Sequence, residues 1–261
     1  MTHRIRIVIQ ARMNSSRLPG KIAADVAGRP MLAYTVGRLQ AAAERGAVFA
    51  CGAGLSAAPV WELMVATTSA PADDATERLC ESLGVACFRG AESDVLGRYV
   101  AAAADLEPGD TLVRATGDNP LYCPTRSAAI VADHAFYGGD YTCIENLSYV
   151  VPEVMRVDAL RLMASLATDE HCREHVTPYF RRPDCGFRVV QLAARWRGLR
   201  PDVRLTVDTP AELAQMRRLV DALKGDKLAP LERVYEACDR VAVGQDSPRE
   251  PATAARKAAL A

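Results

Sequence analysis

The sequence predicts an α/β fold in which a mostly parallel, mixed sheet has helices on both faces. Two observations support this: short apolar runs alternate with helical stretches, and prolines stand where three of those stretches begin. The alternation is typical of doubly wound sheets. Strands are predicted at residues 5–10, 63–67, 85–88, 111–115, 141–144, 188–192 and 203–207.

The predicted helices lie between these strands. Pro30, Pro124 and Pro210 suit a first helical turn, where a missing N–H costs nothing because it would have no partner within the helix. Helices are predicted at residues 30–44, 74–83, 94–104, 124–133, 157–164 and 210–223.

The length of the chain fits one large domain. With 261 residues, of which 49% are hydrophobic, it can bury a full α/β core, and no second core is required. We therefore predict a single domain over residues 1–240. Within it, the Gly- and Ala-rich residues 46–60 are predicted to be an inserted loop or a small lobe. The low-complexity residues 241–261 are predicted to be a disordered tail.

The overall charge gives no strong attraction to polyanions. Lys and Arg together number 32, as do Asp and Glu, so we expect neither nucleic-acid nor membrane partners, and a polyanionic ligand needs a local cluster of positive charge.

The N-terminus lacks the pattern of a signal peptide, so a cytoplasmic location is expected. The eight cysteines form no zinc-binding spacing, and we expect reduced, mostly buried thiols.

The segment QARMNSSRLPGK, residues 10–21, follows the first predicted strand directly. Arginine, lysine, serine and glycine together suit a triphosphate, since charged side chains offset its charge while hydroxyl and backbone N–H groups fix its oxygens. The carboxyl ends of strands are also where open α/β sheets bind ligands. The segment matches neither the Walker A pattern nor the GxGxxG dinucleotide loop. Its alternative interpretation is a solvated basic loop.

Two aspartates follow two other predicted strands. Asp118 comes after residues 111–115, in RATGDNPL, and Asp208 comes after residues 203–207, in LTVDTP. Each has a structural alternative, because GDNP is a typical turn sequence and an aspartate before a helix is a typical N-cap. Together with the basic segment, they predict a Mg²⁺ site, because a hard cation binds carboxylates and keeps water and substrate oxygens as further ligands.

Six motifs follow one another along the chain: IVIQARMNSSRLPGK, VATTSAPADD, FRGAESDVLGRY, RATGDNPL, REHVTPYF and LTVDTP. In this order and at these spacings, the sequence resembles the cytidylyltransferase family of the spore-coat polysaccharide type, related to the synthetases of CMP-deoxyoctulosonate and CMP-sialic acid. The resemblance covers residues 5–223 apart from the insertion. It implies a Rossmann-like nucleotidyltransferase fold, a homodimer, and transfer of CMP from CTP to a small acidic acceptor, such as an ulosonic acid, with release of pyrophosphate.

The resemblance also implies roles for individual residues. Catalysis is expected to depend on Arg12, Lys21, Asp118 and Asp208, with Mg²⁺ bound by the two aspartates. The nucleotide-binding residues that it implies are Ala11, Arg12, Ser15, Arg17, Lys21, Thr67, Thr68, Arg114 and Gly117. The acceptor-side residues that it implies are Asn119, Glu153, Arg173, Glu174 and His175. For His175, a structural role in a buried turn is the alternative.

One departure from the family pattern concerns the acceptor side. Where the spore-coat type has Gly-Leu-Asp-x-Glu-Val, this chain has YVVPEV at residues 149–154, so that Val151 replaces an acidic residue. The acceptor therefore stays open, and a sugar phosphate, a polyol phosphate or a phosphonate is the alternative within the same chemistry. A nucleotide-binding regulator without catalysis is the alternative of another class. A nicotinamide dehydrogenase is disfavoured because the glycine fingerprint is missing.

Overall fold

The computed structural model describes residues 2–52, 58–145 and 150–246. In that part of the chain, the strands are β1 (Arg4–Gln10), β2 (Asp25–Val26), β3 (Arg29–Pro30), β4 (Val60–Thr68), β5 (Ala86–Gly90), β6 (Thr111–Thr116), β7 (Tyr141–Ile144), β8 (Glu153–Arg156) and β9 (Val189–Leu192). The helices are α1 (Met31–Gly52), α2 (Asp74–Ser82), α3 (Val95–Ala102), α4 (Pro124–Tyr137), α5 (Val157–Leu166), α6 (Glu170–His175), α7 (Pro210–Ala222) and α8 (Leu231–Asp246).

Seven of these strands form one sheet in the order β5-β4-β1-β6-β8-β7-β9, while β2 and β3 form a separate hairpin. The pairs β1–β4, β1–β6, β4–β5 and β7–β9 are parallel. Strand β8 runs antiparallel to both of its neighbours, β6 and β7. The predicted α/β class, with a mostly parallel, mixed sheet and helices on both faces, is confirmed.

The sheet separates two hydrophobic cores. Ile5, Ile7 and Ile9 of β1 contribute to the core that contains residues of α1, α4, α7 and α8. Val8, between them, contributes to the other core, with residues of α3 and α5. Successive side chains of a strand point to opposite faces, and a central strand with both faces covered therefore appears in the sequence as a continuous apolar run.

The order of the strands creates one crevice at the edge of the sheet. From β1 the chain crosses to β4 and β5 on one side, and it then returns to form β6 on the other side of β1. The strand order thus reverses between β1 and β6. In open α/β sheets, ligands bind beyond the carboxyl ends of the strands at such a reversal, which here lies beside Gln10 and Thr116.

The predicted strand at residues 203–207 is wrong. The segment buries Leu205 and Val207, but it has no regular secondary structure and forms no ladder with the sheet. Instead, the backbone N–H of Val207 donates to the carbonyl oxygen of Asp118 at 2.9 Å. That bond brings the following residue, Asp208, beside the end of β6.

Strand β8 was not predicted from the sequence. It is four residues long and begins with Glu153, a carboxylate that is 1% exposed, so it has neither apolar alternation nor an apolar run. Its partner β6 decides its conformation, because strand formation depends on cross-strand packing more than on intrinsic preference.

Helix α1 continues to Gly52, so residues 46–52 are helical rather than the predicted loop. A glycine stands at position 46 for a packing reason, since a Cβ there would lie 2.2 Å from the ring of Trp61. Residues 53–57 of the predicted insertion lie outside the described residues.

Helices α6 and α8 were not predicted, and α8 overlaps the predicted tail. Residues 241–246 belong to this helix, while residues 247–261 lie outside the described residues.

The cysteines that the structure describes are free, and most of them are buried. Among the described helices, none combines the length and the apolar character needed to cross a bilayer.

Candidate active site

A pocket of 310 Å³ lies at the carboxyl ends of β1 and β6. The loop after β1, the end of β6, the first residue of α3, the last turn of α6 and the residue before Thr209 all contribute to its wall. The lining residues are Gln10, Ala11, Arg12, Ser15, Ser16, Arg17, Lys21, Ile22, Val95, Arg114, Thr116, Asp118, Glu174, His175 and Asp208.

The loop at residues 10–21 has a defined internal geometry. The carbonyl oxygen of Met13 accepts hydrogen bonds from the N–H groups of Ser15, at 3.0 Å, and Gly20, at 2.8 Å, so the loop folds back on itself. Gly20 has a φ of +72°, a conformation that glycine adopts at no steric cost. From there the chain enters a short 3₁₀ helix at Lys21–Ala23, which directs Lys21 inward.

The buried carboxylate of Asp73 holds this loop in place through a hydrogen bond. Asp73 accepts hydrogen bonds from the backbone N–H of Met13 at 2.7 Å, from the hydroxyl of Thr76 at 2.8 Å, and from the hydroxyl of Thr68. Burial alone would raise the pKa of Asp73, but these hydrogen bonds stabilise the charged form and lower the pKa below its usual range. Asp73 is therefore an ionised, fully buried support for the loop.

The loop presents positive charge and hydrogen-bond donors to the pocket. Arg12 is half-buried and forms no ion pair with any residue that the structure describes. The backbone N–H groups of Arg12, Asn14, Ser16 and Arg17 likewise have no hydrogen-bond partner within the described chain. Of these residues, Ser16 and Arg17 are adjacent and line the pocket together with Arg12. Adjacent free N–H groups beside a guanidinium can bind an anion, so the loop is suited to phosphate oxygens.

Lys21 joins the two aspartates. Its ammonium group lies 2.9 Å from Asp118 Oδ2 and 2.9 Å from Asp208 Oδ1, and it also donates to the carbonyl oxygen of Val207 at 3.0 Å. The side chains of Lys21 and Asp208 are each 9% exposed, and that of Asp118 is 25% exposed. The three residues, distant in sequence, thus form one charged cluster on the floor of the pocket.

Asp208 has two further cationic neighbours. Its Oδ2 lies 3.0 Å from Arg17 and 3.1 Å from Arg204, whose side chains are mostly exposed. Burial alone would raise the pKa of Asp208, but the hydrogen bond from Lys21 and the charges of Lys21, Arg17 and Arg204 lower it below its usual range. Asp208 is consequently ionised at neutral pH.

The donor set of Asp118 and Asp208 fits a hard divalent cation. Two carboxylates converge on one cationic group, the Lys21 ammonium, which occupies a place that a metal ion could take. Among the described residues, no group of three or more His, Cys, Asp or Glu side chains is arranged to hold a metal ion. Further ligands would have to come from water and substrate oxygens, as is usual for Mg²⁺.

A second buried carboxylate, Glu153, holds Arg114 at the pocket wall. Its Oε2 lies 2.5 Å from Arg114, and its Oε1 accepts from Arg181 at 2.9 Å, from Thr177 at 3.2 Å and from Tyr141. Burial alone would raise the pKa of Glu153, whereas Arg114, Tyr141 and Arg181 lower it below its usual range. Glu153 therefore fixes Arg114 without lining the pocket itself.

A strained turn follows α6 and positions Glu174 and His175. Val176 has φ 70° and ψ −59°, and the N–H of Thr177 donates to the carbonyl oxygen of His175 at 2.9 Å, which defines a γ-turn of the rare, strained type. Because Val176 is completely buried and Thr177 is bonded to Glu153, the surrounding packing holds this conformation. Glu174 and His175 are exposed at the pocket mouth.

The structure brings most of the sequence-predicted site residues together. Those that line the pocket are Ala11, Arg12, Ser15, Arg17, Lys21, Arg114, Asp118, Glu174, His175 and Asp208. The predicted residues that do not line it are Thr67, Thr68, Gly117, Asn119, Glu153 and Arg173.

The predicted site residues that do not line the pocket form hydrogen bonds, ion pairs or close packing contacts within the fold. Asn119 donates to Thr116 Oγ1 at 2.7 Å and accepts from Thr206 at 2.9 Å, so its amide is engaged within the fold. Gly117 approaches Ala11 so closely that a Cβ would lie 3.0 Å from the alanine Cβ. Arg173 donates to Ala164 O at 3.0 Å and pairs with Asp94.

Thr67 and Thr68 are both fully buried in β4. The hydroxyl of Thr68 donates to Asp73, while that of Thr67 has no partner within the described part of the chain. Neither residue lines the pocket, and Thr68 supports the loop through its hydrogen bond to Asp73. The nucleotide-binding role expected for Thr67 and Thr68 stays a prediction.

Sequence reasoning missed several residues of the site. Asp73 stands in the quoted motif VATTSAPADD, but nothing in its spacing shows that it reaches Met13. Arg204 lies on the segment predicted to be a strand, and a strand separates residues i and i+4 by about 13 Å, so the prediction gives no ion pair with Asp208. The other lining residues that were not singled out are Gln10, Ser16, Ile22, Val95 and Thr116.

Comparisons with known proteins agree with this geometry. A family model described as cytidylyltransferase matches residues 6–238. The Bacillus subtilis (strain 168) spore coat polysaccharide biosynthesis protein SpsF is 32% identical over 221 residues, which are 82% of this chain and 85% of that protein. A solved cytidylyltransferase from Leptospira borgpetersenii is 25% identical, with a TM-score of 0.77, over 92% of this chain and 96% of the other.

A more distant structure supports the fold alone. A CMP:2-keto-3-deoxy-manno-octonic acid synthetase, solved in complex with CTP, has a TM-score of 0.56 at 21% identity, over 84% of this chain and 98% of the other. The fold and the charged pocket define a nucleotidyltransferase. Because the family model covers nearly the whole described chain, the protein belongs to the cytidylyltransferase family, and the resemblance found in the sequence is confirmed.

Proposed function

We propose that this chain transfers CMP from CTP to a small acidic acceptor, an acidic sugar such as an ulosonic acid, and releases pyrophosphate. One observation carries the proposal: the cationic loop after β1 and the two aspartates line the same 310 Å³ pocket at the reversal of strand order. A triphosphate needs cations and N–H donors, and its metal ion needs carboxylates. The pocket offers both.

Residues of the loop would bind the triphosphate. Arg12 and Arg17 offset its charge, Ser15 donates a hydroxyl, and the free N–H groups of the loop fix its oxygens. An acceptor oxygen then forms a bond to the α-phosphorus while the bond to the bridging oxygen of the β-phosphate breaks. The leaving pyrophosphate keeps that electron pair and is stabilised by the same cations.

Asp118 and Asp208 would hold Mg²⁺. Held by these two carboxylates, the ion would supply positive charge that offsets the negative charge of the triphosphate. The chain contributes chiefly position and electrostatic stabilisation, since transfer of a phosphoryl-type group requires no covalent chemistry from the protein.

The last turn of α6 would bind the acceptor. His175 is suited to orienting a hydroxyl or a carboxylate, and the Glu174 carboxylate can accept hydrogen bonds from sugar hydroxyls. Repulsion by the Glu174 carboxylate grows with the negative charge of the acceptor, so this wall favours a sugar acid with one carboxylate over a more highly charged phosphate or phosphonate. If the attacking group is a hydroxyl, its proton leaves during the attack, and a ring nitrogen of His175 at that wall would accept it.

The test is pyrophosphate release in the presence of Mg²⁺. Each nucleoside triphosphate is paired with a panel of ulosonic acids, sugar phosphates, polyol phosphates and phosphonates. Release with CTP and an ulosonic acid alone is expected. Release with a phosphate or phosphonate instead would replace the acceptor class, and tight CTP binding without turnover on the full panel would favour the non-catalytic regulator.

Two further expectations accompany the proposal. The homodimer that the family resemblance implies is tested by light scattering of the purified full chain, where a monomer mass would contradict it. The cytoplasmic location expected from the sequence stays a prediction, and fractionation of cells producing the chain tests it.

A further inference from the structure

The Lys21 ammonium has no proton left for a phosphate. An ammonium group has three N–H donors, and those of Lys21 have three acceptors: Asp118 Oδ2, Asp208 Oδ1 and Val207 O, at 2.9, 2.9 and 3.0 Å. The role in triphosphate binding that the resemblance implies for Lys21 therefore requires this group to leave both carboxylates.

Asp208 is equally occupied. Its Oδ1 is held by Lys21, and its Oδ2 lies at 3.0 Å from Arg17 and 3.1 Å from Arg204. A metal ion that binds Asp208 must displace at least one of these cations. Of the three, Lys21 is the one in contact with Asp118 as well, so it occupies the position between the two proposed metal ligands.

The charge of the cluster opposes a bare divalent cation. Three cationic side chains, Lys21, Arg17 and Arg204, face two carboxylates, which leaves one excess positive charge around Asp118 and Asp208. Burial of Lys21 and Asp208 strengthens that repulsion, because the local screening by water is weak. A nucleoside triphosphate brings negative charge that the same cations can bind, and the long, flexible lysine stem allows the ammonium group to follow it.

We propose that Lys21 competes with the metal ion for Asp118 and Asp208. In the nucleotide-free protein it holds the two carboxylates together as an internal cation, and it transfers to the phosphates when the nucleotide enters. The metal ion consequently binds tightly only together with the nucleotide. This inference rests on the proposed function, from which it takes the metal and the triphosphate.

A contrary arrangement makes the opposite prediction. If Lys21 stayed in place and supported the carboxylates while the metal ion bound their other oxygens, such as Asp118 Oδ1, loss of Lys21 would weaken metal binding. The sign of the change in metal affinity therefore separates the two arrangements.

The experiment measures Mn²⁺ binding to the full chain without nucleotide, by the electron paramagnetic resonance signal of the free ion. Lys21→Met is expected to bind Mn²⁺ about tenfold more tightly than wild type, and Lys21→Arg, which keeps the charge, is expected to bind as wild type does. Arg204→Gln is the matched control for charge alone, because it removes one cation from the same carboxylate at an exposed position; we expect a gain of about twofold.

Weaker or unchanged Mn²⁺ binding by Lys21→Met would overturn the inference, and so would equal gains in Lys21→Met and Arg204→Gln. A change in melting temperature gives a second measurement: Mn²⁺ alone should stabilise Lys21→Met more than wild type, because the ion replaces the lost internal cation. Binding of CTP to the wild type is measured separately. Its absence would contradict the proposed function, whereas the nucleotide-free titrations decide the role of Lys21 in either case.

Discussion

The carboxylate of Asp73 accepts a hydrogen bond from the backbone N–H of Met13 at 2.7 Å, although the two residues are 60 positions apart. The bond joins the start of α2 to the middle of the loop that carries Arg12 and Ser15. Since Thr68 and Thr76 fix the same carboxylate, the loop rests on a rigid, buried support. The geometry of the pocket thus depends on a residue that does not line it.

We predict that Asp73→Asn raises the KM for CTP and lowers kcat/KM about tenfold, because the amide loses the charge and one of the acceptor oxygens that hold the loop. Initial rates of pyrophosphate release measure both constants. Asp74→Asn is the matched control, since Asp74 is half-exposed and pairs with Arg89 at the surface. An unchanged KM in Asp73→Asn would show that the loop does not need this support.

We predict that Asp118→Ala lowers kcat by at least about a hundredfold while the fold is retained, because the variant loses a carboxylate for the metal ion. In this variant the Lys21 ammonium group keeps its hydrogen bonds to Asp208 and the Val207 carbonyl oxygen, so the buried charge of Lys21 stays paired. Turnover and circular dichroism are measured together, with the exposed Asp221→Ala as control. Wild-type turnover in Asp118→Ala would refute the metal assignment.

The sequence predicted the edge of the sheet where the site lies. Residues 10–21 and Asp118 follow true strands, and the carboxyl ends of parallel strands meet at one edge. The sequence also predicted that Asp208 lies at this site, but the strand on which that prediction depended does not form. Its segment is not a strand, and a single backbone hydrogen bond from Val207 to Asp118 brings it to the pocket.

The interior partners of the site residues could not be predicted in the same way. Glu153 pairs with Arg114 from a strand without apolar pattern, and Asp73, which follows β4, reaches Met13, which follows the neighbouring strand β1. Contacts of this kind depend on packing between distant segments, which propensity and periodicity do not contain. Residue type alone likewise could not show that the amide of Asn119 is engaged within the fold.

We predict that Glu153→Gln destabilises the fold by about 3 kcal/mol, because it leaves the cationic Arg114 and Arg181 around a buried neutral group. Urea unfolding at neutral pH gives the free energy of unfolding. Glu232→Gln is the matched control, because the 3.5 Å ion pair of Glu232 with Arg126 is exposed and should contribute little to the free energy of unfolding. Equal stabilities of the two variants would show that the buried cluster contributes nothing beyond a surface ion pair.

His134 makes stability depend on pH in a mildly acidic range. Its ring is 4% exposed in α4 and contacts the hydroxyl of Thr142 at 2.8 Å. Burial, reinforced by the positive charge of Arg156, lowers the pKa of His134 to about 4. Since an unfolded histidine titrates near pH 6.5, the unfolded chain binds more protons than the folded chain between these values. Stability is therefore complete above about pH 6.5 and falls as the pH drops toward 4.

We accordingly predict that the free energy of unfolding of the wild type falls by about 2 kcal/mol between about pH 7.5 and pH 5, before most carboxylates titrate. His134→Gln should lose most of that decline, because glutamine can keep a hydrogen bond to Thr142 but cannot take up the proton. Urea unfolding at the two pH values measures the difference, and the exposed His171→Gln should retain the wild-type slope. If His134→Gln and wild type lost stability in parallel, the buried imidazole would not be the source of the pH dependence.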